Sequence, residues 1–245
     1  MANAFDATPG FIQDPEEIRR FLRQVFAPEE LKGKTVLDAG CRNGDYAAEL
    51  LRQGAASVVG VDLSRPCIEA ARARFPGESR LRFVEGSITS LRDFPDSTFD
   101  VIICVGTIVY LPPRDMIRAL EEFLRVGRPG GAILVLFQKE KGLFVRLARA
   151  LAGALPLRLF VALARLAAPL LRPVLAKLLN RKISPTCAEY LLISLRGVYF
   201  GMPALMPESF RIQTPTCEHC SEAATMSYKI RIPDQKAPPP WKALP

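Results

Sequence analysis

The chain has 245 residues, of which 49 % are hydrophobic and 24 % charged, a composition that excludes a disordered chain and suffices to bury the core of an α/β domain. The first ten residues are small and polar rather than charged and then apolar, and the six cysteines are scattered, so we expect reduced thiols in a cytoplasmic protein. The net charge of +8 is concentrated among Leu, Ala and Val between 138 and 182, a setting that disfavours nucleic-acid binding.

A loose arm is expected at residues 1–13, followed by an amphipathic helix. Asp14-Pro15-Glu16-Glu17 has the capping acid, the proline and the first-turn acids of a helix start. Apolar residues then recur at helical spacing, at Ile18, Phe21, Leu22 and Val25. Residues 1–32 are therefore predicted to form an N-terminal arm and a helix that packs on, or covers, the domain that follows.

A strand, a tight turn and a helix are predicted around Asp38. The apolar run 34–39 contains this acid near its end, Gly40 and Gly44 punctuate the turn, and a helical pattern covers 43–53. Glycine permits positive φ and lets a ligand approach the backbone, while the start of a helix offers unpaired N–H groups and a positive dipole end. The pattern predicts a binding loop in which Asp38 holds a ligand ammonium or hydroxyl group.

The next two predicted strands also end beside polar residues. Strand 57–62 is mostly apolar, as in a sheet covered on both faces, and ends in Asp62. A helix is predicted over 67–75 and a third strand over 81–86, followed by Ser87. An acid at a strand tip can also serve as a helix cap, but two acid-tipped strands in succession favour a binding role.

The stretch 99–111 is predicted to form the fourth strand and the turn beyond it. A helix, a Pro/Gly turn and a fifth strand follow, over 115–126, 128–131 and 132–137.

Together these segments resemble class I S-adenosylmethionine-dependent methyltransferases. The resemblance rests on the acid-and-glycine loop, the acid that ends the second strand, the FDVIICV strand that leads to LPP, and the RPGG turn, found at Asp38–Gly44, Asp62, 99–113 and Arg128–Gly131. It is strongest over 33–137, the predicted cofactor-binding core. It implies an α/β fold with a doubly wound, seven-stranded sheet whose last strand is antiparallel.

The resemblance also implies S-adenosylmethionine as the cofactor, S-adenosylhomocysteine as the product, and a set of contacts. Asp62 would accept hydrogen bonds from the ribose hydroxyls, Ser87 and Ile88 would contact the adenine, and the backbone near Val105 would meet the methionine amino group. The full predicted set is Asp38, Gly40, Cys41, Gly44, Asp62, Leu63, Ser87, Ile88 and Val105. Two positions depart from the pattern: Arg42 replaces the middle glycine, and Ser87 replaces the acid that contacts the adenine amino group.

Tyr110 and His219 are the candidate catalytic residues. The resemblance implies that Thr107 and Tyr110, in the turn after the fourth strand, point towards the acceptor pocket. Tyr110 would contact the acceptor nucleophile, although a half-buried packing aromatic is an equally good interpretation. His219, the single histidine of the chain, could act as a base if the turn 217–220 folds over the site. Cys217 and Cys220 are too close to this histidine for one zinc site, so no metal is predicted. The Asn-Pro-Pro-aromatic tetrad that this family uses on exocyclic base nitrogens and glutamine amides is absent, which disfavours those acceptors.

Residues 138–183 are predicted to form a basic, apolar, helical insertion after the fifth strand, with ten Lys or Arg residues and one acid. Prolines divide it into short helices over about 143–155, 157–168 and 170–180. A transmembrane span would place an Arg near its centre and is disfavoured. A segment in the interface of an anionic membrane and a lid over an apolar pocket both fit, and both imply a lipophilic acceptor.

The rest of the chain is predicted to complete the core. A last helix over 188–200 and two alternating strands over 209–215 and 224–232 make up the segment 184–232. The proline-rich end, 233–245, is predicted to be an extended tail.

The function predicted from the resemblance is methyl transfer from S-adenosylmethionine to a small lipophilic acceptor, such as a lipid or an isoprenoid, quinone-like or polyketide-like compound. The protein would be cytoplasmic or peripheral to the inner face of a membrane, without a nucleic-acid partner. An alternative is a catalytically inactive, methyltransferase-like binding or scaffold protein at a membrane, which the departures at Arg42 and Ser87 motivate. A nicotinamide oxidoreductase is disfavoured, because Gly40 and Gly44 do not match the G-x-G-x-x-G spacing.

Overall fold

The computed structural model describes residues 13–138, 156–178, 212–213 and 225–233. In chain order the elements are α1 (Pro15–Val25), α2 (Pro28–Leu31), β1 (Thr35–Ala39), α3 (Asp45–Arg52), β2 (Ser57–Asp62), α4 (Arg65–Arg74), β3 (Leu81–Glu85), β4 (Phe99–Val105), a 3-10 helix (Ile108–Tyr110), α5 (Pro113–Val126), β5 (Gly127–Gln138), α6 (Leu157–Leu178), β6 (Ile212–Gln213) and β7 (Thr225–Arg231).

The strands form one mixed sheet in the order β3-β2-β1-β4-β5-β7-β6. The first five strands are parallel to one another, and β7 runs antiparallel to both β5 and β6. The prediction of an α/β sheet with an antiparallel last strand is thereby confirmed. Of the strand predicted over 209–215, the structure describes Ile212–Gln213.

The strand order reverses at β1, which lies between β2 and β4. In open α/β sheets, ligands bind in the crevice outside the carboxyl ends of the strands at such a point. Asp38, Asp62 and Val105 stand at or beside the carboxyl ends of β1, β2 and β4. The topology therefore brings three residues of the predicted site to one edge of the sheet.

Apolar clusters cover both faces of the sheet. One cluster joins the sheet to α1, α3 and α4 through side chains such as Leu22, Leu50 and Ile68. The other joins it to the 3-10 helix and α5 through Ile108 and Phe123. Burial on both faces explains why the strands read as nearly continuous apolar runs.

The N-terminal helix begins where the sequence predicts. The carboxylate of Asp14 accepts a hydrogen bond from the backbone N–H of Glu16 at 2.9 Å, which caps α1. Further along the helix, Arg19 Nε lies 3.0 Å from Oε1 of Glu49, a residue of α3 whose side chain is 1 % exposed. A partly buried ion pair therefore connects α1 to α3 beside their shared apolar contacts.

The start of β5 differs from the prediction of a separate turn at 128–131. These residues lie inside the strand, whose pairing with β4 shifts in register between Phe99 and Val101. Gly130, at φ +74°, donates its N–H to the carbonyl of Ile232 at 3.0 Å. The Pro/Gly turn predicted at 128–131 is thus an irregular part of a longer strand. The hydrogen bond to Ile232, which follows β7, holds this part at the edge of the strand pair.

The prediction of two helices, 157–168 and 170–180, is wrong. α6 runs without interruption from Leu157 to Leu178, through Pro169 and Pro173. A proline inside a helix removes a backbone hydrogen bond and favours a kink, but the surrounding leucines and alanines are strong helix formers that sustain the other turns. None of the helices in the described ranges has the length and apolar character required to cross a membrane.

Several predicted features lie outside the described residues. They are most of the arm 1–13, the helices over 143–155 and 188–200, the turn 217–220 with His219, and the tail beyond 233. The predicted domain boundaries at 32, 137, 183 and 232 remain predictions.

Candidate cofactor-binding site

The loop between β1 and α3 lies at the carboxyl edge of the sheet and contains three residues in the left-handed backbone conformation. Gly40, Arg42 and Gly44 have φ values of +86°, +51° and +83°. The backbone N–H groups of Gly40 and Cys41 both donate to the carbonyl of Val61, at 2.7 and 3.1 Å. The loop is therefore attached to the end of β2 rather than free to move away from it.

The two glycines are required for space as well as for conformation. A Cβ atom on Gly40 would lie 2.0 Å from Oγ1 of Thr107, and one on Gly44 would lie 2.7 Å from the ring of Phe83. Both distances are shorter than van der Waals contact. The sequence predicted the need for glycine from backbone freedom alone, and the packing adds a second reason.

Arg42 keeps the conformation that a glycine would adopt at this position. A left-handed conformation costs a non-glycine residue about 1–2 kcal/mol, and Arg42 holds it at φ +51°. Its backbone N–H donates to Oδ2 of Asp62 at 2.9 Å, which offsets part of that cost. The departure from the glycine pattern thus leaves the path of the loop intact.

Asp38 is a buried carboxylate at the centre of this edge. The residue is 3 % exposed, and burial, together with the negative charge of Asp62, raises its pKa to about 8 although the backbone of Ala47 hydrogen-bonds to it. Its Oδ2 atom has no hydrogen-bond partner. A buried acceptor without a partner is unfavourable by itself, and a ligand ammonium or hydroxyl group would satisfy it.

Asp62 is held by backbone donors on both oxygens. Oδ1 accepts from the N–H of Ser64 at 2.8 Å, and Oδ2 accepts from Arg42. A carboxylate is an acceptor of several hydrogen bonds, and these two backbone donors fix the orientation of the group at the tip of β2. Leu63, the next residue, is 64 % exposed and presents an apolar surface beside the carboxylate.

The residues predicted to meet the adenine lie in the loop after β3. The hydroxyl of Ser87 lies 2.8 Å from that of Thr89 and accepts from the Thr89 backbone N–H at 3.2 Å. Ile88 is 5 % exposed and belongs to the apolar core. Ser87 is therefore oriented by its own loop, while Ile88 contributes mainly to the core of the described domain.

The turn after β4 carries the remaining candidates. Val105 is half-buried at the end of the strand, and Tyr110 is half-buried and packs against the core cluster. The structure places Thr107 against Gly40, a contact that sequence reasoning missed, since the two residues are 67 positions apart. Their spatial proximity depends on the register of β1 with β4, for which the sequence offers no direct signal.

Cys41, Cys67 and Cys104 are buried cysteines that form no disulfide. Burial raises the pKa of the Cys41 thiol well above its ordinary value and that of Cys104 to about 12. Both thiols are therefore protonated at neutral pH and are poor nucleophiles. Within the described part of the chain, no group of three or more His, Cys, Asp or Glu side chains could hold a metal ion.

Comparison with known proteins identifies the same region. The methyltransferase domain family matches residues 36–131. A demethylmenaquinone methyltransferase of Clavibacter sepedonicus is 36 % identical over 136 residues, which cover 55 % of this chain and 54 % of that protein. A fatty-acid O-methyltransferase of Mycolicibacterium smegmatis is 33 % identical over 148 residues, which cover 58 % and 53 %. The chain spans about half the length of the curated relatives it matches.

A solved structure shares the architecture over a longer range. The PH0226 protein from Pyrococcus horikoshii OT3 aligns with a TM-score of 0.50 at 28 % identity, covering 62 % of this chain and 68 % of that one. The glycine loop and both acid-tipped strands lie inside the matched segment 36–131. Residues 36–131 therefore match the methyltransferase domain family in sequence, and the sheet that contains them shares its fold with a solved structure.

Proposed function

We propose that this chain transfers the methyl group of S-adenosylmethionine to a small lipophilic acceptor. The observation that carries the proposal is Asp38, a 3 % exposed carboxylate at the switch point of the sheet whose Oδ2 atom lacks a partner. An unsatisfied buried acceptor beside a glycine loop and a second acid fits a ligand that carries both an ammonium group and hydroxyls.

The residues at the site match the parts of such a ligand. Asp38 is suited to the amino end, and the carboxylate of Asp62, at the tip of β2, is suited to accept hydrogen bonds from the ribose hydroxyls. The exposed side chain of Leu63 can pack on the sugar or the base, and Ser87 and Ile88, in the loop after β3, would border the adenine. The close-packed glycines Gly40 and Gly44, together with Cys41 and Val105, would line the ligand with backbone.

The main task of the protein in this reaction would be to align the acceptor with the cofactor. The bound sulfonium supplies a methyl group that is already activated for transfer. The protein must orient the acceptor in line with that group and exclude water. Tyr110, on the 3-10 helix beside the site, is proposed to contact the acceptor nucleophile, and His219 to act as a base if its turn reaches the site.

Calorimetric titration with S-adenosylhomocysteine tests the cofactor part of the proposal. We expect binding by the unchanged chain and at least about tenfold weaker binding by Asp38→Asn, because a charge-assisted hydrogen bond is lost. Asp93→Asn, a change at an exposed acid, is the matched control and should bind as the unchanged chain does. If the unchanged chain does not bind at high micromolar ligand, the enzyme is contradicted and the inactive scaffold is favoured.

A lipophilic acceptor is supported by the character of α6 and by the relatives. The two relatives above are named for menaquinone precursors and fatty acids. Along α6, apolar residues spaced three or four apart are between 45 % and 79 % exposed, namely Leu159, Leu163, Leu166, Leu170 and Val174. Residues 157–178 contain four Lys or Arg and no acid. An apolar stripe on a cationic helix is suited to an anionic membrane surface, where the acceptor would dissolve.

Flotation with anionic liposomes, at low and at high salt, tests this membrane contact. We expect binding that persists in high salt, because the leucines insert, and that is lost in the double variant Leu166→Gln, Leu170→Gln. Arg172→Gln should weaken binding only at low salt. Binding that disappears in high salt, or self-association through the stripe without flotation, would contradict insertion and leave α6 as a lid or a dimer contact.

A further inference from the structure

Thr107 connects two parts of the site that belong to different strands. Its Oγ1 atom donates to the carbonyl of Gly40 at 3.3 Å. The side chain also fills the space above this glycine, since a Cβ there would lie 2.0 Å from Oγ1 and 2.4 Å from both Cβ and Cγ2 of the threonine. Thr107 is therefore in direct contact with the loop after β1 although it follows β4.

The hydrogen bond from Thr107 is the second one made by the peptide group that joins Gly40 to Cys41. The carbonyl of Gly40 and the N–H of Cys41 belong to the same peptide plane. That N–H donates to the carbonyl of Val61 at 3.1 Å, while Thr107 donates to the oxygen. The plane is thus held between the ends of β2 and β4, and its rotation would break one of the two hydrogen bonds.

The backbone of Thr107 is in turn held by hydrogen bonds to Cys104 and to the turn that follows. The buried sulfur of Cys104 is hydrogen-bonded to the backbone of Thr107 and of Ile108. The carbonyl of Thr107 accepts from the N–H of Tyr110 at 3.0 Å and so begins the 3-10 helix. The residue that orients the glycine loop is therefore the one from which the Tyr110 turn starts.

We propose that Thr107 is a positioning residue, whose hydroxyl sets the orientation of the Gly40–Cys41 peptide in the cofactor loop and its distance from the turn that carries Tyr110. The inference rests on the proposed function, because it assigns Thr107 to the binding of S-adenosylmethionine. A residue that only filled space above Gly40 would be replaced without loss by valine, which has nearly the same shape.

The test compares three variants with the unchanged chain by titration with S-adenosylhomocysteine and by thermal unfolding. We expect Thr107→Val to bind about five- to tenfold more weakly, as for the loss of one hydrogen bond, and Thr107→Ser to bind like the unchanged chain. Thr98→Val is the matched control, because Thr98 is half-buried and donates to the carbonyl of Pro95, away from the site. Thr98→Val should lower the melting temperature as much as Thr107→Val does, without weakening the binding of S-adenosylhomocysteine.

Equal affinity of Thr107→Val and the unchanged chain would overturn the inference, as would equal losses in the serine and valine variants. If the valine variant does not fold, Thr107→Ala is compared with Thr107→Ser, and equal affinities of these two overturn it. Failure of the unchanged chain to bind would instead refute the proposed function, which keeps the two failures distinct.

Discussion

At the scale of single residues, the buried carboxyl group of Asp38 destabilises the folded state and is suited to binding a cationic ligand group. Its carboxylate is buried at 3 % exposure, and burial raises its pKa to about 8. At neutral pH the group is therefore mostly protonated in the free protein. A ligand ammonium group would replace that proton, so the electrostatic cost of burying the carboxylate would favour a cationic ligand.

The first prediction concerns the pH dependence of stability. Because the pKa of Asp38 is about 8 in the folded chain against a usual 3.8, the folded state binds the proton more tightly than the unfolded state. The free energy of unfolding then falls as the pH rises from about 4 to about 8. Asp38→Asn removes this loss, so the melting temperature of the variant minus that of the unchanged chain should be clearly larger at pH 8.5 than at pH 5. A difference that is the same at both pH values would contradict the assignment.

The second prediction separates the two reasons for glycine at position 40. Gly40→Ala forces a left-handed alanine and a clash with Thr107, whereas Gly33→Ala forces the same conformation, at φ +72°, with nothing within 4 Å of the new Cβ. The control should lose about 2–4 °C of melting temperature, for about 1 kcal/mol of backbone strain. Gly40→Ala should lose clearly more and should also lose affinity for S-adenosylhomocysteine. Equal losses in melting temperature would show that the contact with Thr107 relaxes.

The residues of the site differ in how far the sequence could predict them. Asp38 and Asp62 were predictable because an apolar run that ends in an acid defines a strand tip, and parallel strands place their tips together. The contact of Thr107 with Gly40 was not, because it depends on how β4 registers with β1. The prediction that Thr107 points towards an acceptor placed it in the right turn but not against the glycine loop.

At the scale of elements, α1 is connected to the domain through Glu49. This carboxylate is 1 % exposed and lies within ion-pair distance of Arg19 and of Arg52, whose side chains are 32 % and 55 % exposed. An ion pair nearer the interior is less screened by solvent. The pair that joins α1 to α3 is therefore expected to matter more than the pair within α3.

The third prediction follows from this difference. Arg19→Met, which keeps most of the apolar stem, should lower the melting temperature by several degrees, because it leaves a buried carboxylate with fewer donors. Arg52→Met is the matched control on the same carboxylate and should lower it less. Thermal unfolding followed by circular dichroism measures both. A larger effect at Arg52 would show that α1 does not depend on Glu49.

The elements themselves were predicted well where the apolar pattern was uninterrupted. β2 was predicted and found over 57–62, and β1, β3 and β4 differ mainly at their ends. α6 was predicted as two helices because a proline was interpreted as a boundary, whereas Pro169 and Pro173 lie within one continuous helix. Local rules penalise an interior proline, but they do not weigh it against the helix propensity of many flanking residues.

At the scale of the whole molecule, the fourth prediction is a stabilisation by the cofactor product. A ligand that binds only the folded state stabilises it by about 2.7 kcal/mol at one hundred times its dissociation constant, which corresponds to about 5–10 °C for a chain of this size. Thermal scans with S-adenosylhomocysteine should show this shift in the unchanged chain and a much smaller one in Asp38→Asn. An unchanged melting temperature with saturating ligand would contradict binding to the folded state.

Contacts of the last strand, β7, connect the C-terminal part of the described chain to its N-terminal helices. Lys229 of β7 forms an ion pair with Glu30 and donates to the carbonyl of Val25 at 3.1 Å, while Ile232 donates to Gly131 at 2.8 Å. The segment that matches the methyltransferase family ends at residue 131, before most of β5. A fragment cut at that limit would lack the strand that covers β5 and the lysine that secures the N-terminal helices. The family match therefore contains the candidate site, whereas the contacts that join the helices and strands of the described domain extend beyond it in both directions.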